Sequence, residues 1–502
     1  MDRDLLMGLD NGGSMTKCVI FDTKGRELAH AGRRLPLITP APGLVERDLE
    51  LVWRENAALI RETLELAGAS GEEIAAIGLT GYGNGLCLVD AQGNPTCNGV
   101  VSTDNRGQGI VNESRAAGLE EAVFALNHQG LWSAQTSTLL AWFARNRPEV
   151  LRASRWALSI KDYIRMRLTG EAYCDVTEAS SAGLMNLHTL RFDPELFRLL
   201  GLEAYMHLMP PCLEVTQPGG RVSRAAAELT GLREGTLIGG SCFDVDAGML
   251  ASGILDMDTL CLIAGTWSIN EHLTDRLRYG YNESTNAVSM SFLPGRYLVE
   301  ESTPTSAGNF EWFVEQFLES ERPGVKKSEL YHECDTQVAA LAPEDSDVVF
   351  VPFLFSSATH PDAKAAFFNL SGYHSRAHVV RAIYEGVVFS SVFHVGRLTA
   401  DGRSFRGARL SGGLTNSPVW TQMMADALGM PVEVPEASEL SALGAAMCAG
   451  VGAGLFRDYA HAAARMVRVG KTYVPDPERT RRYAEKFAAY QRALAALEVF
   501  HG

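Results

Sequence analysis

The chain has 502 residues, 46% of them apolar and 21% charged, a composition that fits an ordinary soluble globular protein of two or more domains and excludes a disordered or fibrous chain. A formal net charge of −15, from 60 acidic and 45 basic residues, argues against a nucleic-acid or anionic-membrane partner but not against a phosphate held by local donors. The 9 cysteines are odd in number and contain no CxxC pair, so they read as reduced, mostly buried thiols of a cytoplasmic protein.

The opening Met1-Asp2-Arg3-Asp4 has no signal-peptide pattern. Leu5-Leu6-Met7-Gly8-Leu9-Asp10 reads as a buried strand ending in a carboxylate, Asn11-Gly12-Gly13-Ser14 as a turn, and 16–22 as a second strand starting with Thr16 and Lys17. The tip of this hairpin gathers backbone N–H groups, hydroxyls and a lysine, which suits a phosphate, and Asp10 suits a hydrated Mg²⁺. A plain surface hairpin is the alternative. A helix is expected over 49–67, a strand over 74–80, and a further strand over 86–90 after the loop Gly81-Tyr82-Gly83-Asn84-Gly85. That loop is neither a P-loop nor a dinucleotide fingerprint, and Gly470-Lys471-Thr472 is no P-loop either, because Arg465 stands where a glycine is required. Asp104 and Arg106 lie two apart on an extended segment, where a surface ion pair is the ordinary reading. Residues 107–235 read as mostly helical, with Trp132, Trp142 and Trp156 as core, ending in a helix over 223–230.

The midpoint holds Thr236-Leu237-Ile238-Gly239-Gly240-Ser241-Cys242-Phe243-Asp244-Val245-Asp246-Ala247-Gly248. An apolar run ends in two glycines, which let a backbone approach a ligand, and Asp244 follows at the start of a helix over 245–254. Asp244 is then an anion at the mouth of a loop, or simply the cap of that helix. Asp246 would point roughly 200° away, so both carboxylates cannot face the same way. Beyond it, Leu260-Cys261-Leu262-Ile263-Ala264-Gly265-Thr266-Trp267-Ser268 is again a strand running into a glycine turn, which hints at a duplicated unit. A strand over 348–355, a helix over 378–398, the strand-to-turn Leu410-Ser411-Gly412-Gly413-Leu414-Thr415-Asn416-Ser417, a strand over 432–435 and a small-residue helix over 441–452 follow, so the class is α/β. The apolar run 442–456 is too short and glycine-rich to span a bilayer.

Taken in order, Leu9 to Ser14, Asp104-Asn105-Arg106, Gly240 to Gly248, Gly265-Thr266, Gly412-Gly413, Ala442-Leu443-Gly444-Ala445-Ala446 and the run 365–387, with His378, Ala382, Glu385 and Gly386, resemble the FGGY family of carbohydrate kinases over the whole chain. Two departures stand out: Asn369 replaces a usual Gly, and Leu139 a usual Lys. The resemblance implies two actin-like, ribonuclease-H-like ATPase domains with a central cleft, expected at 1–244 for sugar and 245–502 for ATP. It implies ATP and Mg²⁺ as cofactors, with Gly12, Gly13, Ser14, Thr16 and Lys17 as one phosphate loop, Gly265 and Thr266 as a second, Gly308, Gly412, Gly413 and Asn416 on the nucleotide, and Asp10 on the metal. It picks Asp244 as general base and leaves Asp246 as a solvated or capping charge. Asn84, Asp104, Arg106 and Asp244 are the expected substrate contacts. At loop 81–85 glycerol kinases carry Arg-Glu and D-xylulose kinases typically Met-His, and this chain has Gly83-Asn84, which fits neither; the pattern Gly-x-Gly-Leu at 83–86, with Gly265-Thr266-Trp267 and Pro304-Thr305-Ser306-Ala307-Gly308-Asn309-Phe310-Glu311-Trp312, is most similar to the family's L-xylulose/3-keto-L-gulonate kinase branch. The resemblance thus implies phosphoryl transfer to a ketopentose such as xylulose, with Gly83 leaving room for its carbon chain. The alternatives are another polyol or sugar (glycerol, erythritol, ribulose) or a non-catalytic actin-like sugar sensor. A small-molecule sugar is the expected partner, with no nucleic acid or membrane, and a homodimer is left open.

Overall fold

The structure is a computed structural model and describes residues 5–265, 267–277, 287–357, 359–360 and 362–501. The expectations on Met1-Asp2-Arg3-Asp4 and on Thr266 lie outside the described residues. The chain forms two compact units, the first of residues 1–255, 273–298 and 437–467, the second of 256–272, 299–436 and 468–502.

In the first unit the strand Leu5–Asn11 is an almost unbroken apolar run buried at most positions, as expected of a strand covered on both faces. It pairs antiparallel with Thr16–Asp22, which pairs antiparallel with Glu27–Arg33. On its other side it pairs parallel with Ile74–Gly81, which pairs parallel with Leu237–Ile238. The helix Leu49–Ala67 starts where the Asp48 carboxylate accepts from the N–H groups of Glu50 and Leu51, and stops at Gly68 in the left-handed conformation. The helix Leu440–Gly452 packs against this sheet at backbone distance: a Cβ added at Gly78 would lie 1.8 Å from the carbonyl oxygen of Ala445. That closeness explains the small-residue run at 442–446. Residues 107–235, expected to be mostly helical, hold short helices interrupted by strands of two or three residues.

The second unit repeats the plan. Thr259–Ala264 pairs antiparallel with Ser268–Thr274 and parallel with Gly407–Ser411, which pairs parallel with Val432–Pro435. Tyr297–Thr303 lies next to Ser268–Thr274, and Val469–Tyr473 extends the far edge. The expected strand 348–355 shrinks to Val349–Val351, paired with Ala366–Phe368. Asn369 has φ 60°, so the residue standing in place of a glycine is one that tolerates the left-handed region. Among the described residues Arg376–Leu398 is the one helix long and apolar enough to cross a membrane, and 78% of its apolar window is buried inside the protein. All nine cysteines are free, seven of them buried.

Candidate functional site

The first unit brings together three of the predicted groups at the ends of its strands. Asp10 lies opposite Lys17 across the hairpin. Its Oδ1 is buried without a hydrogen-bond partner. Burial pushes the Asp10 carboxyl up to about 6; Lys17 opposes this and Glu439 adds to it. An orphaned, buried carboxylate oxygen beside a turn is a donor that fits a hard cation. At the tip, Gly13 and Ser14 are exposed and open. Thr16 is buried, and its hydroxyl reaches the side-chain oxygen of Asn11 at 3.5 Å rather than the tip. Lys17 is tied to Glu439 by a 2.7 Å ion pair. Arg47, which sequence reasoning missed, donates to the carbonyl oxygens of Gly12 and Gly13 at 3.4 and 2.5 Å and so fixes the turn from behind.

The second group is the loop after Ile74–Gly81. Asn84 is buried with φ 61°, in the left-handed region that asparagine tolerates better than most residues. Its N–H donates to Oε1 of Glu178 at 2.9 Å, and its side-chain oxygen accepts from the N–H of Thr136 at 3.3 Å. Asp104 and Arg106 were expected to meet sugar hydroxyls or solvent. Instead both are buried and their polar atoms turn on each other, with Nε and Nη2 of Arg106 donating to the two Asp104 oxygens at 2.9 Å each. Asp104 also accepts from the N–H of Val45 at 2.6 Å, and Arg106 lies over the Trp142 ring. The pair braces the loop region. Trp132 is 38% exposed and is not the core residue expected.

The third group is the central stretch. The helix begins at Asp244, with Phe243 in the capping position and no side-chain cap bond, so Asp244 is not the cap residue. Asp244 is half-buried. Thr80 donates to the carbonyl of Cys242 at 2.8 Å, and the N–H of Phe243 donates to Oγ1 of Thr177 at 2.9 Å. The room expected over Gly83 is filled: a Cβ there would fall 2.1 Å from Cε2 of Phe243. Asp246, expected to be solvated or capping, is 0% exposed, and its Oδ1 accepts from the N–H of Phe292 at 2.8 Å. The angular argument separating it from Asp244 stands, but its face of the helix is also covered by protein.

Behind these loops lies a buried charge cluster that sequence reasoning also missed. Lys161 Nζ is 2.6 Å from Asp175, 3.3 Å from Asp162 and 3.7 Å from Glu178. Burial alone would push its ammonium down, but these three carboxylates hold it well above the ordinary lysine value. Burial also resists ionisation of Asp175, and Lys161 and Arg165 outweigh it, keeping that carboxyl below its ordinary value. Asp175 in turn caps the helix Val176–Ser181 through the N–H groups of Thr177 and Glu178. Glu178 is pushed up to about 7 by burial, with Lys161 opposing and Asp162 adding. The residues are scattered over the sequence 161–178 with no motif spacing, so only the fold assembles them.

In the second unit two of the predicted nucleotide turns, at Gly265 and at Gly412, meet at the ends of paired strands. Gly412 has φ 95°, and a Cβ on it would lie 2.5 Å from the carbonyl oxygen of Ala264 and 2.9 Å from the nitrogen of Gly265. Only glycine lets the two turns touch. Gly265 and Gly413 face open space, and Asn416 is exposed at the end of the short helix Gly413–Asn416. Gly308 begins the helix Gly308–Phe313, 3.3 Å from the ring of Phe355 when given a Cβ. A separate cavity lined by Arg381, Gln422, Lys471, Arg479, Arg482 and Tyr483 contains none of these residues. It carries charges of both signs.

Residues 5–251 match the model of the FGGY family of carbohydrate kinases, N-terminal domain, and residues 260–453 match that of its C-terminal domain. The chain is 35% identical to the L-xylulose/3-keto-L-gulonate kinase of Escherichia coli strain K12, over 99% of this chain and 97% of that protein. It is 34% identical to a probable L-xylulose kinase of Pasteurella multocida, over 98% and 99% of the two chains. The crystal structure of a xylulose kinase from Rhodospirillum rubrum superposes with a TM-score of 0.88 at 26% identity, covering 99% of each chain.

Proposed function

The chain belongs to the FGGY family of carbohydrate kinases and has that family's two-domain fold; on that premise we propose that it is a xylulose kinase whose general base is Asp244. The enzyme is a sugar kinase that uses ATP to phosphorylate a hydroxyl of a small sugar. The names carried by its relatives support a ketopentose, with xylulose first. The observation that carries the assignment of the base is the placement of Asp244: first residue of its helix, half-buried, and directly after a loop pinned by Thr80 and Thr177.

The chemistry asks little more of the protein than position and charge. The acceptor hydroxyl gives its proton to the Asp244 carboxylate while its oxygen bonds to the γ-phosphorus and the bond from phosphorus to the ADP oxygen breaks. Asn84 lies on the acceptor side, and the Asp104–Arg106 pair holds that region without spending its own polar atoms on sugar. The backbone of Gly12 and Gly13, with Ser14, offers N–H and hydroxyl donors to the transferring phosphoryl group, and Lys17 with Glu439 sets the base of that hairpin. Gly265, Thr266, Gly308, Gly412, Gly413 and Asn416 take the nucleotide, which gives 1–244 the sugar role and 245–502 the ATP role. Asp10 would hold Mg²⁺ through water, and a cation there neutralises charge on the phosphate oxygens. The working compartment is the cytoplasm.

The test is a panel of D- and L-xylulose, ribulose, erythritol and glycerol in a coupled ADP-release assay. Xylulose should give the highest kcat/KM, and ADP release without sugar should be slow. A higher efficiency with glycerol overturns the ketopentose reading, and fast sugar-independent ATP hydrolysis points to a scaffold ATPase instead.

A further inference from the structure

The acceptor loop and the loop that carries Asp244 meet at a contact that neither Asn84 nor Asp244 accounts for. Gly83 is buried, and a Cβ built on it would lie 2.1, 2.4 and 2.8 Å from Cε2, Cζ and Cδ2 of Phe243. No side chain survives such overlap, so the ring occupies the volume that any other residue at 83 would need. Phe243 is itself only half-buried.

The ring is held in place by the backbone on which it sits. The N–H of Phe243 donates to Thr177 at 2.9 Å, and Thr80 donates to the carbonyl of the preceding Cys242 at 2.8 Å. The neighbour of Thr177, Glu178, accepts the N–H of Asn84 at 2.9 Å. Two adjacent residues at the start of the helix Val176–Ser181 therefore fix both loops, one each. Asp175 anchors that pair: Oγ1 of Thr177 donates to it at 2.5 Å, and it is itself held by Lys161. The Gly83–Phe243 contact is the third point of this clamp and the only one of the three made by an apolar side chain.

We propose that Phe243 is a specificity-determining residue of the sugar site: its ring stands in for the side chain that position 83 lacks and forms the wall that sets acceptor size. The inference rests on the sugar-kinase reading above. An aromatic ring offers a sugar no strong hydrogen bond, so it sorts acceptors by volume, while Asn84 and Asp244 supply polar contacts. Size sorting of this kind is worth about 10–200-fold per methylene. Gly83 is then small because Phe243 is large, and the two must change together.

The experiment compares kcat/KM for five- and six-carbon ketoses in wild type, Phe243→Leu, Phe243→Gly, Gly83→Leu and the double variant Gly83→Leu/Phe243→Gly. Shrinking the ring should raise the six- to five-carbon ratio about 10-fold or more, mostly through KM. Gly83→Leu alone, with the ring still in place, should abolish acceptor use, and the double variant should recover activity and return the ratio toward that of wild type. Recovery of activity alone would follow from packing; a shift of the six- to five-carbon ratio in Phe243→Leu and its return in the double variant would not. Phe243→Leu keeps an apolar cap over Gly83 and carries the test if Phe243→Gly does not fold, as judged by its melting transition. If wild type phosphorylates five-carbon ketoses and the ratio in Phe243→Leu stays within about twofold of it, the inference falls and the functional reading survives. If wild type phosphorylates no ketose at all, both fall together.

Discussion

The two sheets of this protein, one of five strands and one of seven, share an inner arrangement and differ in what stands at the ends of those strands. In the first, Leu5–Asn11 lies between Thr16–Asp22 and Ile74–Gly81; in the second, Thr259–Ala264 lies between Ser268–Thr274 and Gly407–Ser411. In each the inner pair is parallel and the hairpin antiparallel. One pair before its turn the first hairpin carries a half-buried carboxylate, Asp10, opposite Lys17; at the same place in its register the second carries Ile263 opposite Ile269, with no charge. The loops after the parallel partner differ as well. Gly83 makes room for an aromatic ring from another loop, whereas Gly412 makes room for the backbone of its own neighbouring turn. Strand ends of open α/β sheets are where ligands bind. The same scaffold has thus been fitted on one side with ionisable groups and a shaped wall, suited to proton transfer and acceptor choice. On the other side it carries bare backbone, suited to a polyphosphate chain and a nucleoside.

If the chemistry sits on the first unit, substitutions there should split from those on the second. The largest expected effect is at Asp244. Asp244→Asn keeps shape and removes the base, so kcat should fall about 10²–10⁴-fold while acceptor KM changes little. Normal turnover in a steady-state assay would end the assignment. Asp10→Asn comes next, with about a 10–100-fold loss if the carboxylate holds its cation through water, partly restored by added Mg²⁺. The same variant should be the more stable one at neutral pH. The folded-state value of Asp10 is about 6, above the ordinary 3.8. Between those values the folded protein therefore binds more protons than the unfolded chain. Stability is lost as pH rises through that window, and the cost is complete above it. Thermal melts should show Asp10→Asn gaining over wild type at pH 7.5 and not at pH 4.

Much of this was legible in local sequence. The helix Leu49–Ala67, the hairpin around Gly12-Gly13 and the turn at Gly412-Gly413 all follow from periodicity and turn residues that lie close together in the chain. The contacts that shape the site do not. Lys17 meets Glu439 across 422 residues, and Phe243 finds Gly83 only after both loops are folded. Gly83 looked like empty space because a sequence shows what a residue lacks, not what another residue puts there. The Asp104–Arg106 pair was seen, but its burial depends on Val45, Glu46 and Trp142, which arrive from other segments.

A smaller effect should separate the clamp from the base. Glu178→Gln keeps an acceptor for the Asn84 N–H but makes it neutral. A hydrogen bond to a charged group exceeds a neutral one by roughly 1 kcal/mol, so acceptor KM should rise about fivefold with kcat nearly unchanged. Burial places the Glu178 carboxyl at about 7, so in wild type KM should rise as pH falls through that value. The Glu178→Gln profile should be flat there. An equal loss in kcat would mean that the clamp acts on Asp244 rather than on Asn84.

The smallest effect on catalysis should come from Asp246, two residues from the base. A helix with Asp244 on one face and solvent on the other would tolerate any polar residue at 246. The helix here is covered on that face too: residues Val245 to Ala251 are all buried. Oδ1 of Asp246 accepts the N–H of Phe292 and thereby ties down the segment leading into Tyr297–Thr303. Asp246→Asn can still present an oxygen to that N–H and should leave turnover within about twofold, since no transition-state contact is removed. Asp246→Ala cannot, and it leaves a buried donor unsatisfied at a cost of about 1–3 kcal/mol. Denaturant titration should therefore rank the two variants, Asn close to wild type and Ala clearly lower, with kcat for both near normal. If Asp246→Asn instead loses turnover as Asp244→Asn does, the second carboxylate acts in the chemistry, and assigning the base to Asp244 alone is wrong.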